Sequence, residues 1–269
     1  MCEFCTKHGD GAVWYKNAAN YSNDLLSDLR RRAFIRNFLE LTFRDGFETI
    51  GRLETIYRRK GRLPGAIRNE MEERAKKEHY GQVLPIEEIR DLVSKADTIV
   101  RMPCACRWTS ARQEVRCCYG VSFGAEAWYK GIDMSYFGKA SNEGLESLRR
   151  EEAIVQMEQM EDQGAVHTIW TMMTPFIGAI CNCTLQDCLA MRTLSSIHVE
   201  TMARAEYTAV VDRELCTGCG VCEGHCQFDA IGSTRESGRA IAEIKGDKCF
   251  GCGLCRKTCD AGAISLIPR

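Results

Sequence analysis

The sequence predicts an α+β protein: a mainly helical, cysteine-bearing domain with short strands over residues 1–205, followed by a smaller repeat-built domain over 206–269. Three observations predict it. Apolar residues recur at three- and four-residue steps through much of the first part. Short β-branched runs interrupt them and lead into cysteine pairs. The last part reads twice through one cysteine pattern at an offset of 33 residues.

Taken in order, the chain opens on Cys2 and Cys5, a C-x2-C pair that could chelate one edge of a metal site but cannot complete it. From Ser22 to about Phe43, Leu26, Leu29, Ala33, Phe34, Phe38 and Leu41 keep helical spacing, with Ser22 as the expected N-cap. The arginines of this helix, Arg30, Arg31, Arg32 and Arg36, read as a solvated or docking face rather than a phosphate site. Residues 44–80 are charged and punctuated by Gly46, Gly51, Gly61 and Pro64-Gly65, predicting one or two short helices around the basic loop RRKGRLPG.

A pattern then occurs twice. Leu84-Pro85 opens a helix carrying Ile86, Ile89, Leu92, Val93 and Ala96; the strand-like Thr98-Ile99-Val100 follows, then Cys104 and Cys106. Residues 142–163 predict a long helix with Leu145, Leu148, Val155 and Met160, stopped by Gly164. The strand-like run Ala165–Met173 leads to Cys181 and Cys183, with Cys188 five residues on. Between the two units lie the vicinal Cys117-Cys118 and the Gly-rich aromatic stretch GVSFGAEAWYKG. The QMEQMEDQGAVHT unit also looks like half of a winged helix, but without a basic recognition helix a DNA-binding reading is weak.

The terminal repeat is CTGCGVCEGHC and CFGCGLCRKTC, each with C-x2-C-x2-C-x3-C spacing. Three successive thiolates at this spacing wrap one cubane cluster while the fourth points to the next. Two zinc knuckles are the alternative, but zinc sites ordinarily use two separated cysteine pairs. The stretch resembles the bacterial two-cluster ferredoxin, a βαβ-repeat fold. The resemblance implies that Cys216, Cys219, Cys222 and Cys259 hold one [4Fe–4S] cluster, and Cys249, Cys252, Cys255 and Cys226 the other. One departure stands out: the family usually has Pro after the fourth cysteine, where this chain has Gln227 and Asp260. His225, Arg256 and Lys257, beside these cysteines, are candidates for tuning potentials. MPCACR, VSFGAEAWY and GAICNC together resemble a group of bacterial and archaeal ferredoxin-like proteins with a helical, cysteine-bearing region ahead of a two-cluster domain.

Composition narrows the function. Thirty-six basic against 37 acidic residues leave no footprint for nucleic acid. The C-terminal part is also near neutral, with eight Lys/Arg and nine Asp/Glu, which fits a domain built into an assembly. There is neither a signal peptide nor a run of membrane-spanning length. Seventeen cysteines therefore read as metal thiolates in a reducing, cytoplasmic and anaerobic setting.

Nine cysteines lie outside the repeat. Cys104, Cys106, Cys181 and Cys183 are the expected core of a further iron–sulfur site, with Cys118, Cys188 and His167 in reserve and Cys2/Cys5 closing a second; zinc is the rival metal. Arg107 is placed to offset thiolate charge. Cys117 and Cys118 could be ligands, free thiols or a redox pair. The leading expectation is an electron-transfer protein or subunit serving redox partner proteins. A second is an oxidoreductase whose upstream site is catalytic, with stretch 119–131 lining a pocket and His167 as acid or base. A structural-zinc docking module carrying a ferredoxin, and a redox-sensing regulator, are the remaining alternatives. No dinucleotide fingerprint or phosphate loop is present.

Overall fold

In the computed structural model, residues 13–21, 27–124, 127–139, 144–236 and 238–269 are described. Helix α1 (Leu29–Leu39) passes through a π-turn at Glu40–Arg44 into α2 (Asp45–Lys60), and α3 (Gly65–Glu78) follows. The first helix is capped by Asp28, whose carboxylate accepts from the N–H groups of Arg30 and Arg31. The expected cap, Ser22, lies outside the described residues. Gly46 and Gly51 do not interrupt α2. The break falls at Gly61, whose φ of +68° an L side chain adopts only with strain, and Pro64 then caps α3.

The organising element of the following 120 or so positions is a sheet, larger than the short strands expected from sequence. Its strands are β1 (Gly81–Val83), β2 (Thr98–Pro103), β3 (Arg116–Ser122), β4 (Glu146–Leu148), β5 (Val166–Thr171), β6 (Ile177–Cys183) and β7 (Met202–Ala203). They lie in the order β4-β2-β3-β6-β5-β1-β7, antiparallel except for the β1–β7 pair. The connecting helices are α4 (Ile86–Lys95), α5 (Ala105–Ala111), α6 (Arg150–Asp162) and α7 (Leu189–Ile197). The long helix expected from 142 is shorter: Leu148 belongs to β4, opposite Ile99, and α6 begins at Arg150. Leu148 thus contacts the core from a strand; an apolar residue just before a helix does not by itself reveal which element it occupies. The QMEQMEDQGAVHT unit is the crossing from α6 to β5 within this sheet, not half of a winged helix.

Period-two alternation divides the sheet's side chains, with a register shift at Gly178 that keeps Ile177 and Ile180 on one face. Ile99, Tyr119, Val121, Ile169, Ile177 and Ile180 join Ile89, Leu92 and Val93 of α4 and Ala153 and Met157 of α6 in one core. Each large aliphatic side chain among them contributes roughly 1.5–3 kcal/mol on burial. Val83, Val166, Trp170 and Cys183 belong instead to the core on the other face, which also includes Met191 of α7 and residues Phe250 and Leu254. Gly81 is required where β1 meets β5, because a Cβ there would lie 2.7 Å from the Trp170 ring.

The C-terminal part is two small antiparallel strand pairs around the cysteine runs. Strand β8 (Tyr207–Val211) pairs with β11 (Ile264–Pro268), and β9 (Ile231–Glu236) with β10 (Arg239–Ile244). One-turn helices α8 (Val221–His225) and α9 (Leu254–Lys257) carry the middle cysteines. Among the described residues, no helix is long and apolar enough to cross a membrane.

Candidate metal centres

The two C-terminal cysteine sets are brought together by an exchange between the repeat halves. Gly218 packs its α-carbon against the Ala240 carbonyl and Gly251 against that of Tyr207, and a Cβ at either would sit 2.2 or 2.1 Å from the oxygen. The N–H of Ala209 donates to Cys249 Sγ and that of Ala242 to Cys216 Sγ, each at 3.5 Å. All these pairs interchange under the 33-residue offset. Each half's strand is therefore laid on the other half's cysteine loop. Cys216, Cys219, Cys222 and Cys259 consequently surround one small cavity, and Cys226, Cys249, Cys252 and Cys255 another. This donor set, four soft thiols with backbone N–H groups aimed at sulfur, fits a [4Fe–4S] cluster in each. Burial pushes the Cys255 thiol up to about 12 and raises Cys222 and Cys252 as well. A bound cluster would overcome that penalty by stabilising the thiolates, with release of their protons. Cys219 is exposed.

Upstream, seven cysteines converge on the sheet and its flanking helix starts. Cys104 precedes α5, Cys106 lies in its first turn, Cys117 and Cys118 are on β3, Cys181 and Cys183 on β6, and Cys188 caps α7. The Sγ atoms of Cys104, Cys117 and Cys118 all lie within 4.8 Å of one another. Cys104 also interacts with Cys106, Cys118 with Cys181, Cys106 with Cys188, and Cys188 with Cys183. The thiols thus form one connected patch. Hydrogen bonds from neighbouring thiols lower Cys104 and Cys188 below the usual thiol range.

The four-cysteine core expected from sequence lies in this patch, but the tightest triad includes Cys117, which the sequence pattern leaves unassigned. Strict alternation would send Cys117 and Cys118 to opposite faces. Between the pairs Met102–Cys118 and Pro103–Arg116 the register shifts, leaving Cys117 as an extra bulged residue. A bulge re-aims a side chain in this way, and only the pairing partner, remote in sequence, reveals it. Arg107 donates from Nη1 to Cys117 Sγ and from Nε to Asp187 at 2.9 Å, so a cation does stand beside the thiols.

His167 stays apart. On β5 it alternates away from Cys181 and Cys183, and its Nδ1 donates to Asn182 Oδ1 at 2.7 Å. Burial lowers its pKa to about 4. Arg256 and Lys257 are engaged in ion pairs, with Glu87 at 2.6 Å and Asp162 at 2.9 Å, that fasten α9 to the upstream helices. His225 is exposed and bonded to the Val221 carbonyl of its own helix. Cys2 and Cys5 lie outside the described residues.

The two cysteine regions share one apolar cluster. Cys183, Cys188, Trp170, Phe250 and Leu254 pack together, with Cys252 against them. Gln227 crosses the same junction. Its side-chain oxygen accepts from the Leu185 N–H, and its amide donates to the Gly164 carbonyl. Proline could make neither bond, which accounts for the departure at this position.

Comparison with known proteins agrees with the donor chemistry. Residues 209–232 match the 4Fe-4S binding domain family. Over 38 residues the chain is 45% identical to an iron-sulfur subunit of the CoB–CoM heterodisulfide reductase from Methanopyrus kandleri, a match covering 14% of this chain and 6% of that protein. The chain therefore carries a 4Fe–4S-binding segment.

Proposed function

We propose that the chain is an electron-transfer subunit of an oxidoreductase assembly, with two [4Fe–4S] clusters on the C-terminal cysteine sets and a further iron–sulfur site on the upstream thiols. Bound clusters would supply reversible one-electron storage. In this reading residues 206–269 form a ferredoxin domain, and residues 1–205 the domain that receives or delivers its electrons.

The observation that carries the proposal is the shared packing of Cys252 with Cys183 and Cys188. It gives the relay an order. Exposed Cys219 marks the face open to a redox partner protein, and Cys252 marks the face turned toward the upstream thiols. The heterodisulfide reductase resemblance supports the class of activity without naming this chain's donor or acceptor.

The test is iron, sulfide and zinc analysis of anaerobically purified protein, with EPR after stepwise reduction. About twelve irons or more per chain, with signals beyond those of the C-terminal pair, is the expected result. About eight irons with stoichiometric zinc would overturn the upstream cluster and leave a ferredoxin on a zinc-stabilised platform.

A further inference from the structure

The upstream thiols border a much larger space than the C-terminal sets enclose. The two four-cysteine sets surround cavities of about 40 and 20 Å³, whereas the cavity on which Cys104, Cys106, Cys118, Cys181, Cys183 and Cys188 abut measures about 300 Å³. That is the lower end of the range for small-molecule sites, and the proposed upstream metal site would take the part next to the thiols. Beyond the thiols the cavity is lined by Phe38 and Phe43 from the α1–α2 helix, Met71 of α3, and Trp128 and Trp170.

The charged groups on its wall are already matched. Arg74 pairs with Glu78 at 2.9 Å, Arg107 with Asp187 at 2.9 Å, and Asp45 with Arg44 at 3.3 Å. Arg74–Glu78 and Arg44–Asp45 are half-exposed, and only the Arg107–Asp187 pair is largely buried; an ionic ligand would give up its hydration to walls that are otherwise apolar, which is costly. His79 also lines the cavity. It stacks on Trp170 with ring centroids 4.7 Å apart, and its Nδ1–H donates to the Thr171 carbonyl at 2.6 Å. That bond fixes the tautomer and leaves Nε2 as an acceptor on a neutral ring.

We propose that this cavity is a binding site for a small, uncharged, largely apolar molecule that would present a soft donor atom to the metal held by the upstream thiols. The apolar walls select the body of the ligand and disfavour ionic analogues, whose hydration they cannot replace. The inference deepens the electron-transfer reading by giving its inner end a ligand. Only the soft-donor contact rests on that reading; the binding preference rests on the walls.

The experiment is anaerobic calorimetric titration of the iron-loaded full chain with cyclohexyl isocyanide, alongside cyclohexylammonium and cyclohexanecarboxylate, with EPR on the same samples. One equivalent of isocyanide should bind, with the two ions at least about tenfold weaker. Thr49→Trp, on an exposed wall position, and Ala75→Trp, on the facing helix, should each weaken binding by about tenfold or more at unchanged iron content. Absence of isocyanide binding, equal binding of the ions, or indifference to both tryptophans would overturn the site. Selective binding in a chain with about eight irons and zinc upstream would uphold the cavity while overturning the upstream cluster.

Discussion

Gln227 accepts a hydrogen bond from the backbone N–H of Leu185 at 2.5 Å, so the residue after Cys226 is tied to the loop between Cys183 and Cys188. A side chain replacing the proline usual at this point thereby joins the two cysteine-bearing regions. Gln227→Pro should leave the iron content unchanged and lower thermal stability by about 1–3 kcal/mol, because the Leu185 and Gly164 groups lose a partner. Scanning calorimetry with iron analysis checks it. If the proposed relay crosses this junction, electron exchange between reduced C-terminal clusters and the upstream site should also slow in the variant.

The exchange between repeat halves makes a sharp prediction about glycines. Gly218→Ala and Gly251→Ala drive a Cβ into a backbone carbonyl, and should abolish or strongly reduce iron binding by the C-terminal part. Gly220 has a φ of +77° but open space around it. Gly220→Ala should cost only about 1–2 kcal/mol and retain its clusters. Iron content and visible absorbance of the three variants separate steric need from conformational preference.

Cys104 lies at the centre of the upstream patch, in contact with Cys106, Cys117 and Cys118. Cys104→Ser should remove upstream metal while the C-terminal irons persist, and Cys117→Ser should weaken it to a similar extent. Metal analysis provides the readout. A Cys117 variant with full upstream metal would show that the bulged thiol is no ligand.

Burial depresses His79 and His167 from 6.5 to about 4. Below pH 6.5 the unfolded chain takes up protons that the folded chain excludes. Their contribution to stability is therefore complete above about pH 6.5 and is lost as the pH falls toward 4. His79→Phe should flatten that acid slope by up to about 1.4 kcal/mol per pH unit. Denaturant titrations followed by circular dichroism at a series of pH values measure it.

Much of the chemistry was determined by sequence alone. The C-x2-C-x2-C-x3-C runs dictate their own local wrapping, because three thiols within seven residues and intervening glycines leave the backbone little choice. The helix beginning after Pro85 and the stop at Gly164 were legible for the same reason: local conformational preference suffices. The tertiary structure decided what depends on partners remote in the chain. It set the size of the central sheet, the placement of Leu148 on a strand, the bulge that turns Cys117 toward Cys104, and the face to which His167 alternates. Strand pairing fixes each of these, and a strand's own residues do not name the strand beside it. The junction at Gln227 and the cavity between the thiols and α1–α3 likewise exist only once separate elements meet.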